Sequence, residues 1–182
     1  MKIIVNSNVH YKKPVTFLLK SLLDAGFKDF RDVVLVVSQS PSQKPPRVTN
    51  ARELHEDYPD VELCVVEMEM NNFDYSGYQA LHMYIDDPLI VDNAYLYVLD
   101  TSTFDPDFCS KYAALNPEPG TVTTCNHPHS NTCMFDRQVI LNYADNFSIA
   151  LTKGEAIHLE FGELHKEGRH IKGITSFGRF VS

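Results

Sequence analysis

The chain has 182 residues, of which 43% are hydrophobic and 22% charged, and this near-average composition excludes disordered, collagen-like and coiled-coil proteins. Its 16 lysines and arginines are outnumbered by 24 acids, for a formal net charge of −8, so we expect no nucleic-acid partner. A chain of this length buries a core without disulfide or metal staples, which predicts one domain.

Apolar stretches are short throughout the chain. Ile3, Ile4 and Val5 follow Lys2 before polar residues begin, which is too short an apolar run for a signal peptide. No run approaches the roughly 18 apolar residues that a membrane span requires. These patterns predict a soluble, cytoplasmic or otherwise intracellular protein, in which the four cysteines stay reduced.

Strand and helix patterns alternate over the first half of the chain. Residues 2–6 form an apolar run typical of a buried strand, and leucines at helical spacing predict a helix over 14–25 that ends at Gly26. A second apolar run at 33–37 predicts another buried strand, and the Pro-rich residues 38–46 predict a loop. The other predictions here are a helix over 50–58 capped by Asn50, a strand over 61–67, a helix from Asp74 or Ser76 to about Tyr84, and a strand over 95–99.

The second half continues the alternation with weaker patterns: a helix over 105–114, a strand over 121–124, and helices over 135–143 and 155–167. Alternation of this kind predicts an α/β domain with a mostly parallel sheet that is covered by helices on both faces. Ligands of such sheets bind beyond the carboxyl ends of the strands. The candidate binding segments are therefore 6–11, 38–40 and 100–107.

Four potential metal ligands lie within nine residues of one another: Cys125, His127, His129 and Cys133. Thiolate and imidazole groups are the ligands that Zn²⁺ takes in structural sites. The spacing matches no standard zinc finger or ribbon, so two interpretations stay open. One is a loop that carries two unpaired thiols, and the other is a zinc-stabilised interaction domain.

An acidic stretch follows the strand predicted over 95–99. Asp100 ends the strand, Ser102 follows two residues later, and the sequence from Asp105 to Phe108, Asp-Pro-Asp-Phe, opens a predicted helix. This stretch resembles the nucleotide-diphospho-sugar glycosyltransferases of the GT-A fold. Three other segments contribute to the resemblance: 6–10, 38–40 and 71–79.

The resemblance covers roughly residues 1–168 and implies one Rossmann-like GT-A domain over 1–182. Its nucleotide-sugar-binding half is then 1–108, and its acceptor-side half is 109–168. Residues 169–182 are implied to form a basic tail or a lid over the diphosphate.

In this family the base and ribose bind between the ends of the first and second strands. The resemblance therefore implies that six residues lie near the nucleotide: Ser7, Asn8, Val9, Tyr11, Ser38 and Gln39. It also implies that Asp74 and Gln79 border the nucleotide or the donor sugar.

A sugar nucleotide carries two phosphates, and the leaving diphosphate gains charge as the glycosidic bond breaks. Mn²⁺ or Mg²⁺ held by carboxylates can neutralise that charge. The resemblance implies metal binding at Asp100 and Ser102, where Ser102 stands in the place of the family's second acid. Asp105 or a histidine is an alternative source of the missing ligand.

An inverting transferase needs a general base that takes the proton of the acceptor hydroxyl. Glu155 and Glu160 lie in the corresponding late stretch, which lacks the family's usual Glu-Asp pair, and are implied as catalytic. The run of acids over 155–167 is equally typical of a solvated helical face. A retaining mechanism needs no base here, so both stereochemical outcomes stay open.

The resulting hypothesis is an enzyme, a glycosyltransferase of the hexosyltransferase type. It would transfer a sugar from a UDP- or GDP-linked donor to a hydroxyl of a glycan or glycoprotein acceptor, with divalent-metal assistance. Two alternatives stay open: a catalytically inactive sugar-nucleotide-binding module, favoured by Ser102, and the zinc-stabilised interaction domain.

Overall fold

The computed structural model describes residues 1–53, 61–70, 76–117, 119–120, 122–124, 132–142 and 174–176. Its helices are α1 (Lys12–Asp24), α2 (Ser76–Met83), α3 (Phe108–Tyr112) and α4 (Arg137–Asn142), and 3-10 turns cover Phe30–Asp32 and Ala51–Glu53. Its strands are β1 (Lys2–Asn8), β2 (Val33–Ser38), β3 (Lys44–Asn50), β4 (Glu62–Glu67), β5 (Ala94–Leu99), β6 (Ser102–Phe104), β7 (Val122–Thr124), β8 (Cys133–Asp136) and β9 (Ile174–Ser176).

The central sheet has seven strands in the order β3-β4-β2-β1-β5-β8-β7. The middle strands β4, β2, β1 and β5 run parallel, whereas β3, β8 and β7 pair antiparallel toward the two edges. Strands β6 and β9 form a separate two-stranded antiparallel sheet. This architecture confirms the predicted α/β domain with a mostly parallel sheet.

Two hydrophobic cores lie on opposite faces of the central sheet. Side chains alternate along a strand, so Ile3 and Val5 of β1 enter one core and Ile4 enters the other. The first core includes Leu18 of α1, and the second includes Val139 of α4. Burying each such side chain contributes about 1.5–3 kcal/mol relative to leaving it exposed. The predicted helical cover on both faces is therefore confirmed.

The Pro-rich segment predicted as a loop over 38–46 is wrong in its last residues, because β3 begins at Lys44. β3 lies at one edge of the sheet and pairs antiparallel with β4. Pro45 and Pro46 have no backbone N–H to donate, and an edge strand tolerates this loss since one of its sides needs no partner. The register shifts between Lys44 and Arg47, where the two prolines lie.

The helix predicted over 135–143 is wrong in its first two residues and right over Arg137–Asn142. Phe135 belongs to β8, where it pairs with Tyr95 of β5 and is fully buried. Asp136 ends β8 and caps α4, because its Oδ1 accepts a 3.2 Å hydrogen bond from Val139 N. Periodicity alone does not distinguish a short buried strand from the first turn of a helix.

The helix predicted over 105–114 is shorter in the structure, where α3 covers Phe108–Tyr112. Asn50 Oδ1 accepts a 2.8 Å hydrogen bond from Arg52 N, as a cap does, but a 3-10 turn follows it instead of the first turn of an α-helix. The rest of that predicted helix and the helix over 155–167 lie outside the described residues. No described helix is long and apolar enough to cross a membrane.

Glu67, the last residue of β4, attaches the edge strand β3 to the sheet. Ser40 Oγ donates to its carboxylate at 2.5 Å, and Lys44 and Arg47 both form ion pairs with it. Burial by itself raises the pKa of Glu67, but the hydrogen bonds from Ser40, Lys44 and Arg47 lower the pKa from 4.5 to about 2. The carboxylate is therefore stabilised in its charged form.

We expect Glu67→Gln to destabilise the fold near neutral pH and to have a smaller effect in acid. The folded-state pKa lies below the unfolded value of 4.5, so the stabilisation is complete above that pH and is lost as the pH falls toward 2. Urea titrations should show a loss on the order of 2 kcal/mol at neutral pH, and a smaller loss in acid. Glu62→Gln is the matched control, because Glu62 is 46% exposed and pairs with the exposed Arg31. Equal losses in the two variants would contradict this prediction.

Candidate functional site

The strand order reverses between β1 and β5, which predicts a crevice between their carboxyl ends. The chain runs from β1 to β2 and β4 on one side, and then crosses to β5 on the other side of β1. Ligands of open α/β sheets bind at such a reversal of strand order. Asn6 of β1 is the register partner of Leu99 in β5, and Asp100 N donates to Asn6 O at 3.1 Å. Asp100 is thereby held beside the end of β1.

A serine on β1 holds the Asp100 carboxylate at the base of this crevice. Ser7 Oγ donates to Asp100 Oδ2 at 2.6 Å, and the two residues are 5% and 8% exposed. A hydrogen bond to an ionised carboxylate is roughly twice as strong as one between neutral groups. Ser7, predicted at the nucleotide, and Asp100, predicted at the metal, are therefore in direct contact, and their roles stay predictions.

The ends of β1 and β2 form the other wall of the crevice. Ser38 Oγ donates to Ser7 O at 2.8 Å, and Val9 N donates to Ser38 O at 3.1 Å. Beyond them, Asn8 Nδ2 donates to Gln39 Oε1 at 2.7 Å. Five of the residues predicted at the nucleotide therefore lie together at this wall: Ser7, Asn8, Val9, Ser38 and Gln39.

Gln39 has a left-handed backbone, with a φ of 56°. A non-glycine residue in this region costs roughly 1–2 kcal/mol, and such strain is concentrated at ligand sites. Its backbone is anchored by a 3.4 Å hydrogen bond from Gln39 N to Met70 O. The sequence showed no signal for this conformation, since glycine or asparagine would be the expected residue there.

Three other residues were predicted at the nucleotide or donor sugar: Tyr11, Gln79 and Asp74. Tyr11 is 45% exposed and stands at the N-cap of α1, and Tyr11 N donates to Asn8 O at 2.9 Å. Gln79 is 4% exposed and belongs to α2, which contacts β1 and β2. Asp74 lies outside the described residues, as do the two predicted catalytic residues Glu155 and Glu160.

Ser102 begins β6 directly after the crevice. It is 1% exposed, and its Oγ has no hydrogen-bond partner among the described residues. β6 pairs with β9, where Ser102 is the register partner of Ser176. Part of the predicted tail over 169–182 therefore lies beside the strand that follows Asp100.

A divalent cation at the crevice would find one carboxylate among the described residues there, that of Asp100. The buried Ser102 hydroxyl would be a much weaker ligand. Mg²⁺ is commonly bound through one or two carboxylates, with water and substrate phosphates as its other ligands. Within the described ranges, no group of three or more His, Cys, Asp or Glu residues could hold a metal ion.

Cys133 is the one described residue of the predicted zinc loop. It is fully buried in β8, and its Sγ lies 3.1 Å from the hydroxyl of Tyr78. Cys125, His127 and His129 lie outside the described residues. Cys133, Cys64 and Cys109 form no disulfide in the described part of the chain, as predicted, and burial raises the pKa of Cys64 to about 11.

Thr132 is a polar residue at the crevice edge that the sequence analysis missed. β8 runs antiparallel to β5 with Cys133 beside Tyr97, so Thr132 lies at the carboxyl end of β5. It is 5% exposed, and its Oγ1 has no hydrogen-bond partner within the described ranges. The sequence analysis placed Thr132 in the Cys/His segment 125–133, before the helix predicted over 135–143, and no signal indicated the strand β8.

The fold and the crevice define the class of this chain as an α/β domain with a candidate ligand site at a reversal of strand order. No protein-family model and no curated protein gives a significant match to the chain. Among solved structures, 30 chains match it. One is the crystal structure of S. aureus TarS 1-349, with a TM-score of 0.46 and 17% sequence identity. The match covers 85% of this chain and 53% of that one, so the chain spans about half the length of that structure.

Replacing Gln39 by Gly is expected to stabilise the fold and weaken ligand binding. Glycine adopts the left-handed region without steric cost, so the free energy of unfolding in urea should rise by up to about 1 kcal/mol. The amide that faces the crevice is lost at the same time. Gln39→Ala is the matched control, because it removes the same amide and keeps a Cβ in the left-handed region. A gain in stability in both variants would show that backbone strain is not the cause.

Proposed function

We propose that this chain binds a nucleotide-diphosphate sugar, UDP- or GDP-linked, and transfers the sugar to a hydroxyl of a glycan or glycoprotein acceptor. The observation that carries the proposal is the Asp100 carboxylate, held by Ser7 at the reversal of strand order. The sequence resemblance around Asp100 supports the same chemistry. The division into a donor half over 1–108 and an acceptor half over 109–168 stays a prediction.

In the proposed complex the nucleoside lies between the ends of β1 and β2, and the diphosphate lies toward Asp100. Asn8 and Gln39 then face the base, and Ser7 and Ser38 order the backbone beneath it. Because Ser7 orients the carboxylate of Asp100, no reorganisation of that side chain is needed when the donor binds.

A divalent cation, Mn²⁺ or Mg²⁺, would be held by Asp100, with Ser102 next to it. When bound, it would neutralise charge on the departing diphosphate. The protein's own contribution is the carboxylate of Asp100, a residue that is 8% exposed, and Ser7 orients this carboxylate before the donor arrives. Glu155 and Glu160 stay proposals for the base that takes the acceptor proton.

A second candidate function is a module that binds a sugar nucleotide without transferring the sugar. The specific observation that favours it is Ser102, a buried hydroxyl at the position of the family's second acid. A transfer assay separates the two functions, because only the enzyme releases the free nucleotide diphosphate when donor and acceptor are both present.

Calorimetric titration with UDP-, GDP- and dTDP-sugars, each with and without Mn²⁺, tests the proposal. Micromolar binding of one donor is the expected result, strengthened by Mn²⁺ through Asp100. Binding that does not depend on Mn²⁺ would remove the cation from the proposal and keep the donor site. Failure of all donors to bind would contradict the proposed function.

A further inference from the structure

The amide side chains of Asn8 and Gln39 meet at the exposed mouth of the crevice, and one backbone group determines how both are oriented. His10 N donates to Asn8 Oδ1 at 2.9 Å. A backbone N–H can only donate, so the atom of Asn8 on this side is its oxygen. The amino group of Asn8 is therefore the atom that faces Gln39, at 2.7 Å from Oε1.

The orientation of the Asn8 amide in turn determines the orientation of the Gln39 amide. Because Asn8 donates to Gln39 Oε1, the oxygen of Gln39 is engaged, and its Nε2 group with two N–H donors faces away from Asn8. The backbone of Gln39 holds this side chain at the mouth in a left-handed conformation, anchored on Met70 O. The Asn8–Gln39 pair therefore presents a hydrogen-bond donor on the side of Gln39 away from Asn8.

We infer that Gln39 is a specificity-determining residue that selects nucleobases with a carbonyl oxygen over those with an amino group. This inference rests on the proposed function, which places the base between the ends of β1 and β2. Uracil, like thymine, and guanine present carbonyl oxygens where cytosine and adenine present amino groups. An amino group opposite Gln39 Nε2 would place two donors face to face. The loss of one hydrogen bond corresponds to about a three- to tenfold weaker affinity.

The sharpest test changes Asn8 and leaves Gln39 in place. In Asn8→Asp, one carboxylate oxygen still accepts from His10 N, and the other can only accept. Gln39 must then turn its Nε2 toward residue 8 and present its oxygen outward. We expect the wild-type protein to favour UDP over CDP and GDP over ADP by about three- to tenfold, and Asn8→Asp to lose or reverse both preferences. The added negative charge weakens the binding of all four nucleotides to the same extent, so it cancels in the UDP/CDP and GDP/ADP affinity ratios.

Two further variants separate this inference from a general effect on the surface. Gln39→Glu replaces the Nε2 donor of Gln39 by an oxygen that can only accept, so this variant should also lose or reverse the preferences for UDP over CDP and for GDP over ADP. Gln43→Glu is the matched control, because Gln43 is another exposed glutamine, in contact with Met83 and Tyr84, and should leave both ratios unchanged.

Side-chain amide NMR of the ¹⁵N-labelled protein provides a readout that needs no nucleotide. In the free wild-type protein, an Nδ2 proton of Asn8 should be protected from exchange with water and the Nε2 protons of Gln39 should not. In Asn8→Asp, one Nε2 proton of Gln39 should become protected. The opposite pattern in the wild type would overturn the inference. Equal affinities for the two members of each pair would overturn it and leave the proposed function intact, and no binding of any nucleotide would overturn both.

Discussion

Replacing Asp100 by Asn is expected to lower sugar transfer by about 10²–10³-fold, the loss typical of removing a group that stabilises developing charge, and to weaken donor binding in the presence of Mn²⁺. Ser7 Oγ donates to the Asp100 carboxylate at the carboxyl ends of β1 and β5. Asparagine keeps an oxygen that accepts from Ser7 Oγ, so the fold should be retained and the thermal midpoint should change by only a few degrees. Calorimetry with the donor and Mn²⁺ measures the loss of binding, and release of the nucleotide diphosphate measures the loss of transfer.

Asp24→Asn is the matched control for that experiment. Asp24 ends α1, which begins just after the carboxyl end of β1 and leads back toward the start of β2, so Asp24 lies at the opposite edge of the sheet. Its side chain is 63% exposed and pairs with Lys20 four residues earlier, a contact of small energetic weight. The control should bind the donor like the wild type. Equal losses in both variants would mean that net charge, rather than the position of Asp100, determines binding.

Replacing Gly77 by Ala is expected to cost about 1–3 kcal/mol of folding free energy, in spite of the better helix propensity of alanine. A Cβ on Gly77 would lie 2.6 Å from both Cε2 and the hydroxyl oxygen of Tyr97. Tyr97 is fully buried and stacks on Tyr78 with 4.1 Å between the ring centroids, so the ring has no room to move. The loss should appear as a lower urea midpoint with an unchanged slope.

Two comparisons identify the ring of Tyr97 as the cause of that loss. Gly26→Ala is the first, because its Cβ meets no heavy atom within 4 Å and its cost comes only from a φ of +79°. The second is Gly77→Ala in a Tyr97→Leu background, where the ring atoms are gone and the same substitution should cost less. An identical cost in both backgrounds would exclude the steric explanation.

Four of the five strands that the sequence predicted correctly, β1, β2, β4 and β5, are buried on both faces, and the fifth is the edge strand β7. Residues 33–37 and 63–66 read as continuous apolar runs because β2 and β4 are interior strands between two helical layers. β3, β6, β8 and β9 were not predicted because each is short, at an edge, or outside the apolar runs. Their strand geometry is imposed by pairing with a distant neighbour rather than by local preference.

The sequence indicated which residues stand at the strand ends, and the structure brings several of them together. Ser7 and Asp100 are 93 positions apart in the chain and hydrogen-bond only because β5 inserts beside β1. Gln79, predicted at the nucleotide or donor sugar, lies buried in α2, and its role stays a prediction. Thr132 went unrecognised because its place at the crevice depends on the antiparallel pairing of β8 with β5.

By itself the sequence determined the fold class, the four parallel strands and the polar ends that follow them. These features depend on periodicity and hydrophobicity, which are local properties of the chain. The order of the strands, the Ser7–Asp100 pair and the outward donor of Gln39 were decided by the tertiary structure. Each depends on a hydrogen bond between segments far apart in the chain, and the direction of such a bond is set by the neighbour that folding supplies.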